Sequence, residues 1–425
     1  MEWKNDALFA EQLDASDELK DFRKKFHIPR INGEESIYFT GNSLGLQPVS
    51  TASYVQQELE DWALLGVEGH FHARRPWKPY HELLTPALAR LVGAKENEVV
   101  CMNSLTVNLH LLMASFYRPD QKRFRIICEA RAFPSDQYAF ASQVSMHGFS
   151  PEEAIVEIVP RKGEQSLRTE DIISSIREHG DSVAVVIMGA VNYYSGQFYD
   201  LAAITKAAHS VGAYAGFDCA HAAGNVELKL HEQEIDFACW CSYKYLNSGP
   251  GGVAGIYIHE KHAGDPSFPR LAGWWGQNKS TRFQMGKEFD PIPTAEGWQL
   301  SNAPILLMAA HKASLDIFEE AGMDRLHRKR KMLAAYLRFI LDDINSSLSD
   351  PAMEIITPAE ENARGCQVSM LMKRKGKQVF EELTRRSVIA DWREPDVIRV
   401  APVPLYNSFT DIYRFGAIVK EILNS

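Results

Sequence analysis

The stretch Asp236-Phe-Ala-Cys-Trp-Cys-Ser-Tyr-Lys-Tyr-Leu-Asn-Ser-Gly-Pro-Gly-Gly252 carries an apolar run into Ser-Tyr-Lys and then straight into a glycine-rich turn. That pattern sets Lys244 at the mouth of a buried strand, where an ammonium is disfavoured unless it has chemical work. Upstream, a second apolar run, Ala213-Tyr-Ala-Gly-Phe-Asp218, ends in a carboxylate and is followed closely by His221. Singly, these are a surface-loop lysine and an aspartate that closes a strand. Together they are the two groups a pyridoxal phosphate (PLP) enzyme must supply: an amine that forms a Schiff base and a carboxylate that pairs with a pyridinium nitrogen.

Around this pair, apolar segments alternate with helical periodicity. Strands are expected over 124–128, 154–159, 183–188, 213–218, 237–242 and 254–259, with helices over 107–115, 169–177 and 201–210 between several of them. Strands separated by helices imply an α/β fold, a mostly parallel sheet between helical layers. Towards the N-terminus, a polar helix is expected over 6–26, a strand over 36–40, and helices over 49–65 and 81–92. Two long helices, 305–321 and 326–344, lead into a strand–helix–strand pattern that ends in 409–423, a smaller α+β unit.

The totals exclude some classes. A chain of 425 residues, 45% hydrophobic and 24% charged, has the make-up of an ordinary globular protein of two or three domains. A net charge of −9, from 46 basic and 55 acidic residues, argues against nucleic acid or an anionic membrane as the main partner. Six cysteines in so long a chain do not form a disulfide framework. No metal is expected: Cys239/Cys241 and His70-Phe-His72 lack further ligands nearby in sequence. Met1-Glu-Trp-Lys-Asn-Asp-Ala-Leu shows no cationic segment leading into an apolar one, and no apolar run nears the ~20 residues that span a bilayer. A cytoplasmic location with reduced thiols is the expectation.

Further stretches carry a resemblance. They are Tyr38-Phe-Thr-Gly-Asn-Ser-Leu-Gly-Leu-Gln-Pro48, Arg75-Pro-Trp77, Met102-Asn-Ser-Leu-Thr-Val-Asn-Leu-His-Leu-Leu-Met113 and Phe133-Pro-Ser-Asp136. Phe217-Asp-Cys-Ala-His-Ala-Ala-Gly-Asn225, the lysine stretch, Gly273-Trp-Trp-Gly276 and Arg399-Val-Ala-Pro-Val-Pro-Leu-Tyr-Asn-Ser-Phe409 complete the set. With these the chain resembles the kynureninases, PLP enzymes of fold type I related to the class V aminotransferases, over almost its whole length. The resemblance implies hydrolysis of L-kynurenine, or 3-hydroxy-L-kynurenine, to L-alanine and the corresponding anthranilate, in tryptophan catabolism or NAD biosynthesis. It also implies a homodimer with shared active sites. Segment 1–60 is then expected to join the small domain, 61–310 to form the large PLP-binding domain, and 311–425 the small C-terminal domain.

The residue roles follow from the same resemblance. Lys244 holds the cofactor and works as the base at Cα, Asp218 pairs with the pyridinium nitrogen, and His221 supports that arrangement. Phe133 stacks on the cofactor ring; Leu105, Thr106, Pro134, Ser135 and Asp136 complete its pocket. Tyr243 bonds the phosphate and is placed to act as a general acid. Trp274 and Asn302 match positions that reach the cofactor, in related folds across a dimer interface. Arg399 takes the substrate's α-carboxylate, a task suited to a planar guanidinium fork. His70, Ser301 and Asn302 fall where the aryl pocket is expected, with Ser43 also on the substrate side. Three polar residues there suit a ring bearing an extra hydroxyl, which makes 3-hydroxykynurenine the expected preferred substrate.

One departure is Met188-Gly-Ala-Val-Asn192, a residue longer than the family pattern, with Gly189 or Ala190 at a position that is serine elsewhere. Three rival readings share features with this sequence. Gly41-Asn-Ser-Leu-Gly45 has the G-x-S-x-G form of a hydrolase nucleophile elbow, though it precedes the α/β core. A desulfurase or aminotransferase of the same fold would share the Asp–His–Lys framework, and a non-catalytic relative would share the fold alone.

Overall fold

A computed structural model describes residues 2–424. Its central sheet has seven strands: β1 (Val99–Cys101), β2 (Arg125–Glu129), β3 (Ile155–Ile158), β4 (Val183–Gly189), β5 (Tyr214–Asp218), β6 (Phe237–Trp240) and β7 (Gly255–Ile258), in spatial order β1-β7-β6-β5-β4-β2-β3. Only β7 runs antiparallel to its neighbours. The inner strands are apolar on both faces because both faces are covered. Phe217, Val186 and Trp240 pack into one cluster; Val185, Phe237 and Cys239 pack into another with the helix that follows β1.

A second sheet, β8 (Met353–Ile355), β9 (Val368–Met372), β10 (Asp391–Arg393) and β11 (Val397–Val400), is antiparallel throughout, in order β8-β9-β11-β10. Its period-2 alternation is visible residue by residue. Val368, Met370, Ile398 and Val400 enter a core shared with Leu337, Ile340, Phe415 and Val419. Those four come from helices that cover this face of the sheet. Ser369 and Arg399 lie between the core positions and face the other way. Ala10, Leu13, Ile37 and Phe39 join this same core, whereas Leu19, Phe22, Phe26 and Leu46 join the cluster of the larger sheet.

Several expectations need adjusting. The helix expected over 6–26 breaks at Asp17: α1 is Ala7–Ser16, followed by a 3-10 turn, Lys20–Lys25. The strand expected over 36–40 shrinks to Ile37–Tyr38, paired in parallel with Val388–Ile389. The strand that leads to Lys244 stops at Trp240, so Cys241 and Ser242 belong to the turn. Helix α2 (Thr51–Leu65) lies close to its expected place, and β1 is a short edge strand of the main sheet in addition to the strands expected. Helix α3 (Leu105–Phe116) follows it. Helix α4 (Pro134–Met146) is a further addition, and Pro at its start suits the first turn of a helix because its missing N–H is not needed there.

Candidate active site

In an open α/β sheet, ligands collect beyond the carboxyl ends of the strands. Here β2 delivers Glu129, β4 Gly189, β5 Asp218, and the turn after β6 Tyr243 and Lys244, all lining one cavity of about 240 Å³. The starts of α3 (Ser104, Leu105, Thr106) and of α4 (Phe133, Ser135, Asp136) close its rim. Both helices point their N-termini at the cavity, so free N–H groups of a first turn face it.

The cavity is acidic at its base. Asp218 is 8% exposed and accepts from the Ala220 N–H at 2.7 Å. Asp136 shares a hydrogen bond with it and takes the Ser135 hydroxyl at 3.2 Å. Burial, and then the Asp218 charge, pushes the Asp136 carboxyl well above the carboxylate range. Burial raises Asp218 too, against the pull of the Lys244 ammonium. Two carboxyls that share one proton accept a cationic N–H donor readily, and that is what a pyridinium offers. His221 is 7% exposed; burial, and then the positive charges of Lys244, Arg399 and Arg393, hold its pKa well below the usual value. It is therefore a neutral ring at pH 7, and its Nδ1 is buried without a partner. The Lys244 ammonium stands 5.7 Å from the centre of the Phe133 ring. Burial, and then the Cys241 thiol that its hydroxyl contacts, raises the Tyr243 phenol, so it keeps its proton at neutral pH. This set of donors and acceptors fits PLP: an amine, an acidic pair for the ring nitrogen, an aromatic face, and helix N-termini for the phosphate.

Nine of the residues singled out in sequence thus meet in one cavity: Leu105, Thr106, Phe133, Ser135, Asp136, Asp218, His221, Tyr243 and Lys244. Pro134 opens α4 beside them. Arg399 is 1% exposed on β11 and reaches the cavity wall indirectly, donating from Nη1 to the carbonyl of Tyr193, which does line it. Ser43, His70, Trp274, Ser301 and Asn302 do not line it. His70 packs edge-on against Trp77 at 5.5 Å, Trp274 is 40% exposed against Phe283, and Ser43, Ser301 and Asn302 are exposed.

Glu129 and Tyr193 escaped assignment in sequence. Glu129 closes β2 as Asp218 closes β5, and that common position at a strand end was the available signal. Its carboxyl accepts the Gly189 N–H at 3.1 Å and 3.3 Å, and burial pushes it up to about 8. Of the two candidates for the missing serine, Gly189 lines the cavity, and a Cβ there would stand 3.0 Å from Glu129 Oε1. Ala190 is fully buried, its N–H on the Asp218 carbonyl at 2.7 Å. Tyr193 had no pattern to mark it; its ring meets Phe133 edge-on at 5.2 Å.

The loop Gly41–Gly45 is not a nucleophile elbow, because no helix follows Ser43 until Thr51 and the loop lies outside the main sheet. Instead it clasps the lysine turn: the Gly45 N–H donates to the Tyr243 carbonyl at 2.8 Å.

The chain is similar to proteins already known. A family model described as the kynureninase C-terminal domain matches residues 326–419. The kynureninase of Flavobacterium psychrophilum is 54% identical over 421 residues, covering 99% of each chain. Among solved structures, the apo cysteine desulfurase of Thermococcus onnurineus NA1 superposes with a TM-score of 0.76 at 18% identity, over 95% of this chain and 98% of its own. A C-DES mutant with glycine covalently linked to its PLP cofactor gives 0.73 at 16% identity, over 90% and 96%. At such identities the two structures speak for the fold alone.

Proposed function

The chain belongs to the kynureninase family and hydrolyses kynurenine to anthranilate and alanine with PLP as its cofactor, and we propose that Lys244, Asp218 and Tyr243 carry that reaction in the cavity above. The observation that carries this assignment is the convergence of nine residues from four sequence-distant segments on one cavity at the strand ends, with the lysine amine over an aromatic face. When bound, the cofactor supplies a sink for the electrons left at the substrate's Cα.

The chain's own groups do the rest. Asp218, with its proton-sharing neighbour Asp136, holds the ring nitrogen's proton in place. The first turn of α3 and the Tyr243 hydroxyl would hold the phosphate, and Phe133 would supply an aromatic face for the ring. Lys244 anchors the cofactor, then takes the proton from Cα. As water adds to the γ-carbonyl and the Cβ–Cγ bond breaks to release the anthranilate, Tyr243, protonated at neutral pH, delivers a proton to Cβ. His221, neutral and with its Nδ1 unpartnered, would hydrogen-bond the cofactor without adding charge. Arg399 takes the α-carboxylate. Its Nε is buried without a partner, which supports a ligand acceptor at that edge of the fork.

Ser43, His70, Trp274, Ser301 and Asn302 belong, in this reading, to a site completed in a homodimer. The exposure of Ser43, Trp274, Ser301 and Asn302 supports it, as do exposed apolar side chains near the set in sequence: Phe71 (54%), Phe283 (56%), Leu306 (39%) and Leu307 (40%). The aryl pocket formed there would favour the 3-hydroxylated substrate. Segment 1–60 contributes to the small domain, 61–310 forms the large one and 311–425 the remainder of the small one. The Ala10, Leu13, Ile37 and Phe39 contacts support the first of these. A cytoplasmic location accords with six buried, unpaired cysteines, and no described helix is long and apolar enough to cross a membrane.

The test is product analysis with equal L-kynurenine and 3-hydroxy-L-kynurenine, for the native protein and for His70→Ala and Asn302→Ala. A preference for the hydroxylated substrate that collapses in the variants supports the shared aryl pocket; an unchanged ratio removes it.

A further inference from the structure

The cross-strand registers put Ser369, Arg399 and Asp391 in one row. Arg399 on β11 stands directly opposite Ser369 on β9 and directly opposite Asp391 on β10. Directly opposed residues of antiparallel strands project from the same face, and this is the face turned away from the small sheet's core. The row grips the turn that follows β4. Ser369 donates to the Tyr194 carbonyl at 2.6 Å, Gln367 to the Tyr193 carbonyl at 3.0 Å, and Arg399 Nη1 to that same Tyr193 carbonyl. Nη2 of Arg399 pairs with Asp391 Oδ2.

With Nη1 and Nη2 committed, the guanidinium plane has no freedom to turn, and Nε is the buried donor left over. Asp391 is therefore a fixed second point of attachment for the fork. A second cation competes for it: Arg393, two residues along β10 and on the same face, reaches Asp391 Oδ2 at 3.3 Å. Without the carboxylate, two guanidiniums would face each other across the strand pair, and Arg399 would keep only a carbonyl oxygen to orient it.

We propose that Asp391 is a positioning residue for substrate recognition, fixing the Arg399 guanidinium so that its Nε edge meets the α-carboxylate of the amino-acid substrate. The proposal rests on the reading of Arg399 as the carboxylate anchor. An opposing possibility is that Asp391 competes with the incoming carboxylate, and the two differ in the sign of the effect.

The experiment uses the PLP-loaded enzyme and two ligands, L-kynurenine and kynuramine, its analogue without the carboxylate. Asp391→Asn should raise the KM for L-kynurenine about tenfold and change kcat less than about threefold, which is roughly 1.4 kcal/mol of lost binding. The inhibition constant of kynuramine should stay within about twofold, since that ligand has no group for Arg399. Asp391→Glu, which keeps the charge at a different reach, should fall between the two, and it serves if the asparagine variant folds poorly. A lowered or unchanged KM in Asp391→Asn, or equal weakening of both ligands, overturns the proposal. Arg399→Gln separates the failures: if it abolishes the kynurenine–kynuramine discrimination while Asp391→Asn leaves it intact, only the positioning role falls. If Arg399→Gln leaves the discrimination intact, the anchor reading falls and the proposal with it.

Discussion

Replacing Gly45 by alanine tests whether the loop that clasps the lysine turn sets the position of Lys244. A Cβ at Gly45 would collide with the Lys244 carbonyl oxygen and with Asn247 Oδ1, and would approach Asn247 Cα to 2.9 Å. The Lys244 carbonyl is backbone, and the Asn247 amide, though it ends a side chain, is tied to the Tyr245 carbonyl at 2.9 Å. The Lys244 carbonyl already accepts the Asn247 N–H at 3.0 Å, and the neighbouring Tyr243 carbonyl holds the Gly45 N–H at 2.8 Å. Relief therefore requires the two backbone segments to part by about 1 Å, a displacement that typically lowers a rate by on the order of 100-fold when it reaches a reacting group. Overpacking of this kind also destabilises by about 1–3 kcal/mol. The assay is kcat and KM for L-kynurenine at saturating PLP, with thermal melting of the same samples. The expected result is a kcat loss of roughly two decades with a folded, modestly destabilised protein. A kcat within about threefold of the native value, whatever the melting point, would refute the claim that this contact positions the lysine.

Three further outcomes are expected. Lys244→Ala should lose turnover while melting close to the native protein, since the side chain is half-buried and makes no ion pair among the described residues; measurable steady-state activity would remove it as the base. Glu129→Gln should change how the cofactor-free protein responds to pH. The carboxyl titrates near 8 when folded but near its ordinary value of 4.5 when unfolded. Between those values the unfolded chain carries fewer protons, so the native protein loses stability as pH rises, by up to about 1.4 kcal/mol per pH unit, and the variant should not share that slope in urea titrations at pH 5 and 8. Asp236→Ala should destabilise by about 3 kcal/mol, the low end for a broken buried pair because Lys261 and His209 remain partly in water. It removes the acceptor of Lys261, His209, His262 and the Ala215 N–H, each at 2.8 Å, and a melting point within a degree or two of native would show those contacts to be idle. Because its partners hold the Asp236 carboxyl below the usual range, its contribution should persist at neutral pH and vanish only in strong acid.

Much of the α/β core was legible because its signal is local. The apolar runs that end in Asp218 and before Lys244 are strands buried on both faces, and a strand needs only its own residues to show that. The elements that were misread depend on partners distant in sequence. Ile37–Tyr38 is a strand only because Val388–Ile389 lies beside it, and the helix expected over 6–26 breaks at Asp17, between Leu13 in one core and Leu19 in the other.

The same division holds at the site. The sequence by itself determined the chemistry: a lysine after a buried strand, a carboxylate after another, and a guanidinium on a third, because residue type and strand-end position are written in the chain. Tertiary structure alone decided which of these groups share a space and in what protonation state. Glu129 becomes a proton-holding acid only when β2 is buried beside Asp218, Tyr193 joins the cavity because the small sheet holds its carbonyl, and Gly45 matters because Lys244 lies against it. Burial and contact across hundreds of residues set those properties, and no local pattern encodes them.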